Sequence, residues 1–195
     1  MKLSNEQYEY VKSEAVDLFT RYGVRCIPIS GFELAMQMGI TLVPYSWLNS
    51  EKLAAAMQMS EDGFRHDNYL SGREYILFND LKGYERSNMT VLHEVSHGVL
   101  GHHDGMNDDL AEAEASFFAK YAIAPPPLVH RIRPTCPEDI EEFFYISKEA
   151  AQNAYEYYRK WLRKYNYRNG VYLPYERKLI ELFPNIERKG VLITI

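Results

Sequence analysis

The chain has 195 residues, 46% hydrophobic and 25% charged, an ordinary balance for a globular protein of one domain with room for an appendage. Its 22 Lys and Arg stand against 27 Asp and Glu, a net charge of −5, which argues against general nucleic-acid binding and leaves only a local basic patch open. No stretch approaches the roughly 18 uncharged apolar residues of a membrane span. Met1-Lys2-Leu3-Ser4-Asn5-Glu6 lacks the apolar core of a signal peptide. Cys26 and Cys136 stand far apart, in no metal or redox spacing. Reduced thiols and a cytoplasmic location are the expectation. Membrane, disulfide-scaffold, collagenous and disordered classes are excluded.

In chain order, the spacing predicts a helix from Ser4 to Tyr22. Ser4 and Gln7 form a capping-box pattern, and Val11, Ala15, Leu18 and Tyr22 recur at helical period. A second capping pattern, Ser30 and Glu33, precedes a short helix over 32–38, and Gly39 leads into a strand over 40–43. A helix over 50–59 follows, then a weaker strand signal near Phe64. The strand Arg73 to Phe78 is rich in Tyr, Ile and Phe and bounded by turn residues. Helices are predicted over 87–100, stopped by Gly101, and over 108–124, stopped by Pro125-Pro126-Pro127. Beyond the prolines lie helices over 137–145, 148–165 and 176–182, and a strand-like tail, Val191 to Ile195.

Four of the six histidines fall in one window: His93, His97, His102 and His103. His93-Glu94-Val95-Ser96-His97 has the pattern H-E-x-x-H. Positions four apart on a helix share a face, so both imidazoles can reach one Zn²⁺ at about 2.0–2.1 Å. Glu94 lies about 100° round the helix, where its carboxylate reaches the open coordination position. That is the arrangement of a metallohydrolase, with Glu94 as the base.

Catalytic zinc usually keeps three protein ligands. His103 is one candidate for the third. However, the pattern H-E-x-x-H-x-x-G-x-x-H needs glycine where this chain has Leu100, and Gly101 comes one residue late. Glu112 and Glu114 are the others. On a helical wheel the apolar arc centres on Ala111, Ala115, Phe118 and Ala122, with the two glutamates on opposite flanks. Glu112 shares its flank with the small Ala115, Ser116 and Ala119, while Glu114 shares its own with Phe117 and Tyr121. Small side chains allow close approach of the metal helix, which favours Glu112.

Three stretches together resemble the ImmA/IrrE-type metallo-endopeptidases: Tyr75-Ile76-Leu77-Phe78-Asn79-Asp80, Thr90 to His102, and Glu112 to Ala119 running on to Ala124-Pro125. The third is similar to the family's E-x-x-A-N-x-F-A, with Ser116 where the family usually has Asn. The resemblance implies Zn²⁺ held by His93, His97 and Glu112, with Glu94 as the catalytic base. It also implies a cytoplasmic peptidase, often encoded on a prophage or mobile element, that cuts a helix-turn-helix transcriptional repressor. The chain is shorter than the branch that adds a C-terminal sensor domain, so the mobile-element type is expected.

The expected fold is α+β. A zincin-like domain over residues 1–127 would combine a small mixed or antiparallel sheet with the H-E-x-x-H helix and a ligand helix. Residues 128–195 would form a helical extension packed on it. His102, His103 and Tyr121 are the candidates for stabilising an oxyanion, and the 73–78 strand for receiving an extended substrate. The 148–165 helix and its end carry Lys148, Arg159, Lys160, Arg163, Lys164 and Arg168 against Glu149 and Glu156. Two rival functions therefore stand beside the endopeptidase. One is a metal-binding regulator that holds a partner without cutting it. The other is a DNA-binding module using this basic helix.

Overall fold

The computed structural model describes residues 1–68, 72–102 and 107–186. The predicted tail, Val191 to Ile195, and His103 lie outside them. The chain divides into two compact units, Met1–Glu14 with Ser30–Ala122, and Ala15–Ile29 with Ile123–Ile195. The division falls within the first helix, α1 (Asn5–Tyr22). Its capping box is formed as the sequence suggests: the Gln7 N–H donates to Ser4 Oγ (3.2 Å), and the Ser4 N–H donates to Gln7 Oε1 (2.8 Å).

The first unit is α+β. Helix α2 (Gly31–Gln37) leads through β1 (Thr41–Pro44) and α3 (Ser50–Met59) to β2 (Gly63–Asn68) and β3 (Arg73–Phe78). A 3₁₀ turn, Asp80–Lys82, precedes α4 (Tyr84–Val99), and α5 (Asp108–Ile123) follows. Among the described residues the sheet has the order β1-β3-β2. β1 runs parallel to β3, with Thr41 opposite Tyr75, and β2 runs antiparallel, with Gly63 opposite Phe78. β3 is therefore the central strand, paired on both sides over Tyr75–Phe78. This corrects the expectation that it could receive a substrate; β2 is an edge strand.

The start of α4 also differs from expectation, at Tyr84 and not Ser87. Ser87 lies inside the helix, and its hydroxyl donates to Asn79 O (3.0 Å) at the end of β3. Asn79 in turn donates from Nδ2 to Glu61 O (2.9 Å), and Asp80 Oδ1 accepts from the Ser46 N–H (3.1 Å). The Asn-Asp pair after β3 thus ties three loops together. Helix α2 crosses α4 closely at Gly31. A side chain there would meet Leu92, and the Gly31 N–H donates to Asn88 Oδ1 (2.7 Å). Val91, Leu92 and Val95 of α4 are buried, as are Ile76 of β3 and Ala115, Phe118 and Ala119 of α5. One face of α4 is thereby fixed, and its histidine face is left toward a cleft.

The second unit is helical beyond α5. Pro125-Pro126-Pro127 ends α5 but also opens a helix the sequence did not suggest, α6 (Pro126–Ile132). Proline suits a first helical turn, where its missing N–H would have no intrahelical partner. Then come α7 (Pro137–Phe144), α8 (Lys148–Tyr167) and α9 (Pro174–Leu182). Ser147 caps α8, accepting from the Ala150 N–H (3.3 Å). Rings of Trp161, Tyr165 and Tyr172 stack against one another. Beneath them Glu176, 1% exposed, accepts from Trp161 Nε1 (2.6 Å), the Leu173 N–H (2.7 Å) and Arg168 Nη2 (3.2 Å). Cys26 and Cys136 are free thiols. No helix among the described residues is long and apolar enough to cross a membrane.

Candidate metal centre

The helical spacing of His93 and His97 places their Nε2 atoms 3.2 Å apart on one face of α4. Glu112 enters from α5. Its Oε2 lies 3.3 Å from His93 Nε2, and its Oε1 3.4 Å from His97 Nε2. These three residues form a group able to hold a metal ion. Two ligands at about 2.0–2.1 Å from a tetrahedral ion stand about 3.3–3.4 Å from each other, so the donor spacing fits zinc. The donor chemistry fits as well. Burial lowers the pKa of both imidazoles. For His93, Glu112 opposes that effect; for His97, His93 and His102 add to it and bring the value to about 4. At neutral pH each ring is uncharged and offers a lone pair, as a metal ligand must. Glu112 is the one of the two sequence candidates on α5 that reaches this group. Glu114 is buried and pairs elsewhere.

Glu94 projects beside the group. Burial raises its pKa to about 7, with the nearby Glu112 charge adding to the rise. A hydrogen bond from the Arg65 backbone N–H to Glu94 Oε2 (2.9 Å) works in the opposite direction. The donor comes from edge strand β2, whose Arg65 side chain pairs with Glu74 Oε1 (2.8 Å). The cleft in front has a volume of about 960 Å³ and is lined by Gly63–His66 of β2, by His93, Glu94 and His97, and by Glu112, Ser116 and Lys120 along one face of α5.

The three candidates for oxyanion stabilisation fare differently. His102 contacts His97 through Nδ1 (3.0 Å) and Glu114 through Nε2 (3.0 Å), so both ring nitrogens are engaged behind the metal-facing atoms. Tyr121 is buried, with its ring against Phe117. His103 lies outside the described residues. Sequence reasoning missed the Arg65 contact, because the signal near Phe64 was weak and gave no sheet order. It also missed the partnership of His102 and Glu114. In the second unit, Arg159, Lys160, Arg163 and Lys164 are exposed on α8, while Ala151, Tyr158 and Trp161 pack inward.

Set against known proteins, the chain matches no protein-family model and no curated protein.

Proposed function

We propose that the chain is a zinc-dependent endopeptidase with a zincin-like site, His93, His97 and Glu112 holding the metal and Glu94 acting as the base. The observation that carries this reading is the convergence of two imidazole nitrogens and one carboxylate, 3.2–3.4 Å apart, beside a second, buried carboxylate in an open cleft. Zinc in such a site supplies Lewis-acid polarisation of a carbonyl and acidification of water. Glu94 accepts the proton of the water that attacks the scissile carbonyl and passes it to the leaving amine. The Arg65 N–H holds one carboxylate oxygen in place while the other is left for the proton.

The substrate is proposed to be a protein segment in extended form, laid along the outer edge of β2 and hydrogen-bonded to main-chain groups other than the Arg65 N–H, which Glu94 already accepts. The resemblance of the motifs to ImmA/IrrE-type peptidases makes a helix-turn-helix repressor the first substrate to try. The test is incubation of the zinc-loaded protein with casein, as an unfolded general substrate, and with such a repressor. Peptide-bond cleavage that stops with a chelator and is absent in Glu94→Gln supports the reading. Zinc-loaded protein that binds the repressor and cuts neither substrate would replace it with the non-cutting regulator.

A further inference from the structure

Helix α4 ends in a turn that puts one more histidine behind the candidate metal centre. Gly101 has φ +71, a conformation glycine adopts at little cost. Its N–H donates to Gly98 O (3.3 Å), and the next N–H, that of His102, donates to His97 O (2.9 Å). This is the Schellman arrangement, which folds the second residue past the helix back onto the third residue from its end. That contact is frequently hydrophobic. Here it is a pair of imidazoles with their Nδ1 atoms 3.0 Å apart. His102 Nε2 then lies 3.0 Å from Glu114 Oε2 on α5. The His102 and Glu114 side chains are 4% and 10% exposed, so water competes little for these contacts.

Counting protons gives this row a direction. Each of its two bonds needs one hydrogen. A carboxylate only accepts, so His102 must carry its hydrogen on Nε2 to donate to Glu114. In a neutral His102 ring Nδ1 is then a lone pair and accepts from His97 Nδ1–H. With that hydrogen on Nδ1, His97 Nε2 is a lone pair facing His93 and Glu112. In the opposite direction His102 Nε2 and the carboxylate would face each other lone pair to lone pair. His97 would then carry its hydrogen on Nε2, in the ligand position. The Glu114 charge, acting through the His102 ring, therefore selects the form of His97 that can bind a metal through Nε2.

We propose that His102 and Glu114 are positioning residues that hold His97 in its Nδ1–H tautomer and so prepare its Nε2 lone pair for the metal. The proposal rests on the reading of His93, His97 and Glu112 as metal ligands. It assigns His102 a task that excludes direct contact with a substrate oxyanion, since both its nitrogens are used.

The experiment has two readouts. Imidazole ¹⁵N spectra of the metal-free protein report which nitrogen of His97 is protonated. Zinc affinity is measured by competition with a chromophoric chelator. Wild type should show His97 as the Nδ1–H tautomer. Glu114→Gln, equal in size, presents an amide donor that can reverse the row; His97 should shift to the Nε2–H tautomer and zinc affinity fall about 10–100-fold. His102→Phe keeps a ring against His97 but removes both nitrogens, and should lose affinity to a similar degree. It serves as the second variant should the first fold poorly. An Nε2–H tautomer in wild type, or zinc affinity within about twofold of wild type in both variants, would overturn the proposal. Should wild type hold no zinc, the metal reading fails, and the tautomers still decide the row: Nδ1–H on His97, reversed by Glu114→Gln, supports it, and Nε2–H overturns it.

Discussion

Arg65 and Glu94, 29 positions apart in the chain, are joined where the edge strand β2 meets the histidine-bearing helix α4: the Arg65 backbone N–H donates to Glu94 Oε2 at 2.9 Å. The bond uses a main-chain donor on the outer side of β2 to orient a carboxylate that stands beside the His93–His97–Glu112 group without being part of it. Glu94→Gln keeps the shape and can still accept that bond, but cannot take up a proton. Cleavage should fall by about 10²–10⁴-fold while zinc content stays at the wild-type level. Turnover and metal content of the same preparation check both halves.

The same carboxylate sets a pH dependence of stability. Glu94 has its pKa raised from 4.5 to about 7 in the metal-free protein, chiefly by burial. Between those values the folded state binds more protons than the unfolded one, so stability falls as pH rises from 4.5 to 7 and is level above it. Relative to wild type, metal-free Glu94→Gln should be more stable by on the order of 3 kcal/mol at pH 8, and by much less at pH 5. His97, with its pKa lowered to about 4, pulls the other way, but it is common to both proteins and cancels in the difference. Urea titrations at the two pH values measure this. An equal difference at both would contradict it.

Glu176 holds the second unit from within. It is 1% exposed and accepts from Trp161 Nε1, the Leu173 N–H and Arg168. Glu176→Ala would leave the half-buried Arg168 guanidinium and two donors without their acceptor, at a cost of about 1–3 kcal/mol. Denaturant unfolding followed by Trp161 fluorescence should show the loss. A cost below about 1 kcal/mol would mean that water takes the place of the carboxylate.

Gly31 is a steric requirement of the α2–α4 crossing. A Cβ built there stands 2.8 Å from Leu92 Cγ and 3.1 Å from Asn88 O and Leu92 N. Two of these three neighbours are backbone atoms and cannot rotate away. Gly31→Ala should cost about 1–3 kcal/mol, although alanine is ordinarily the better helix former. A thermal melt decides the sign.

Helices that combine a period with a signal at one end were legible: Ser4 with Gln7 opens α1, and Gly101 stops α4. The convergence of His93, His97 and Glu112 into a group able to hold a metal ion was legible for a related reason. H-E-x-x-H is a spacing on one helix, and the small residues flanking Glu112 mark the side of α5 that can come near. The sheet was less so. The Tyr, Ile and Phe content of Arg73–Phe78 and the turn residues around it identify a strand but not its neighbours, and β3 proved central. Pro125-Pro126-Pro127 read as a stop, yet the missing N–H that ends one helix also begins α6. His102 lay in plain view after Gly101. Its contact with His97 follows from the geometry of the glycine stop, but its contact with Glu114 depends on how α5 packs, which no local pattern encodes.

The central claim is that His93, His97 and Glu112 hold one metal ion. Elemental analysis of purified wild type, His93→Ala and Glu112→Ala after equilibration with zinc tests it most directly. The account predicts about one zinc per chain in wild type and little in either variant. Zinc retained by Glu112→Ala would contradict the ligand set, and no zinc in wild type would contradict the metal centre itself.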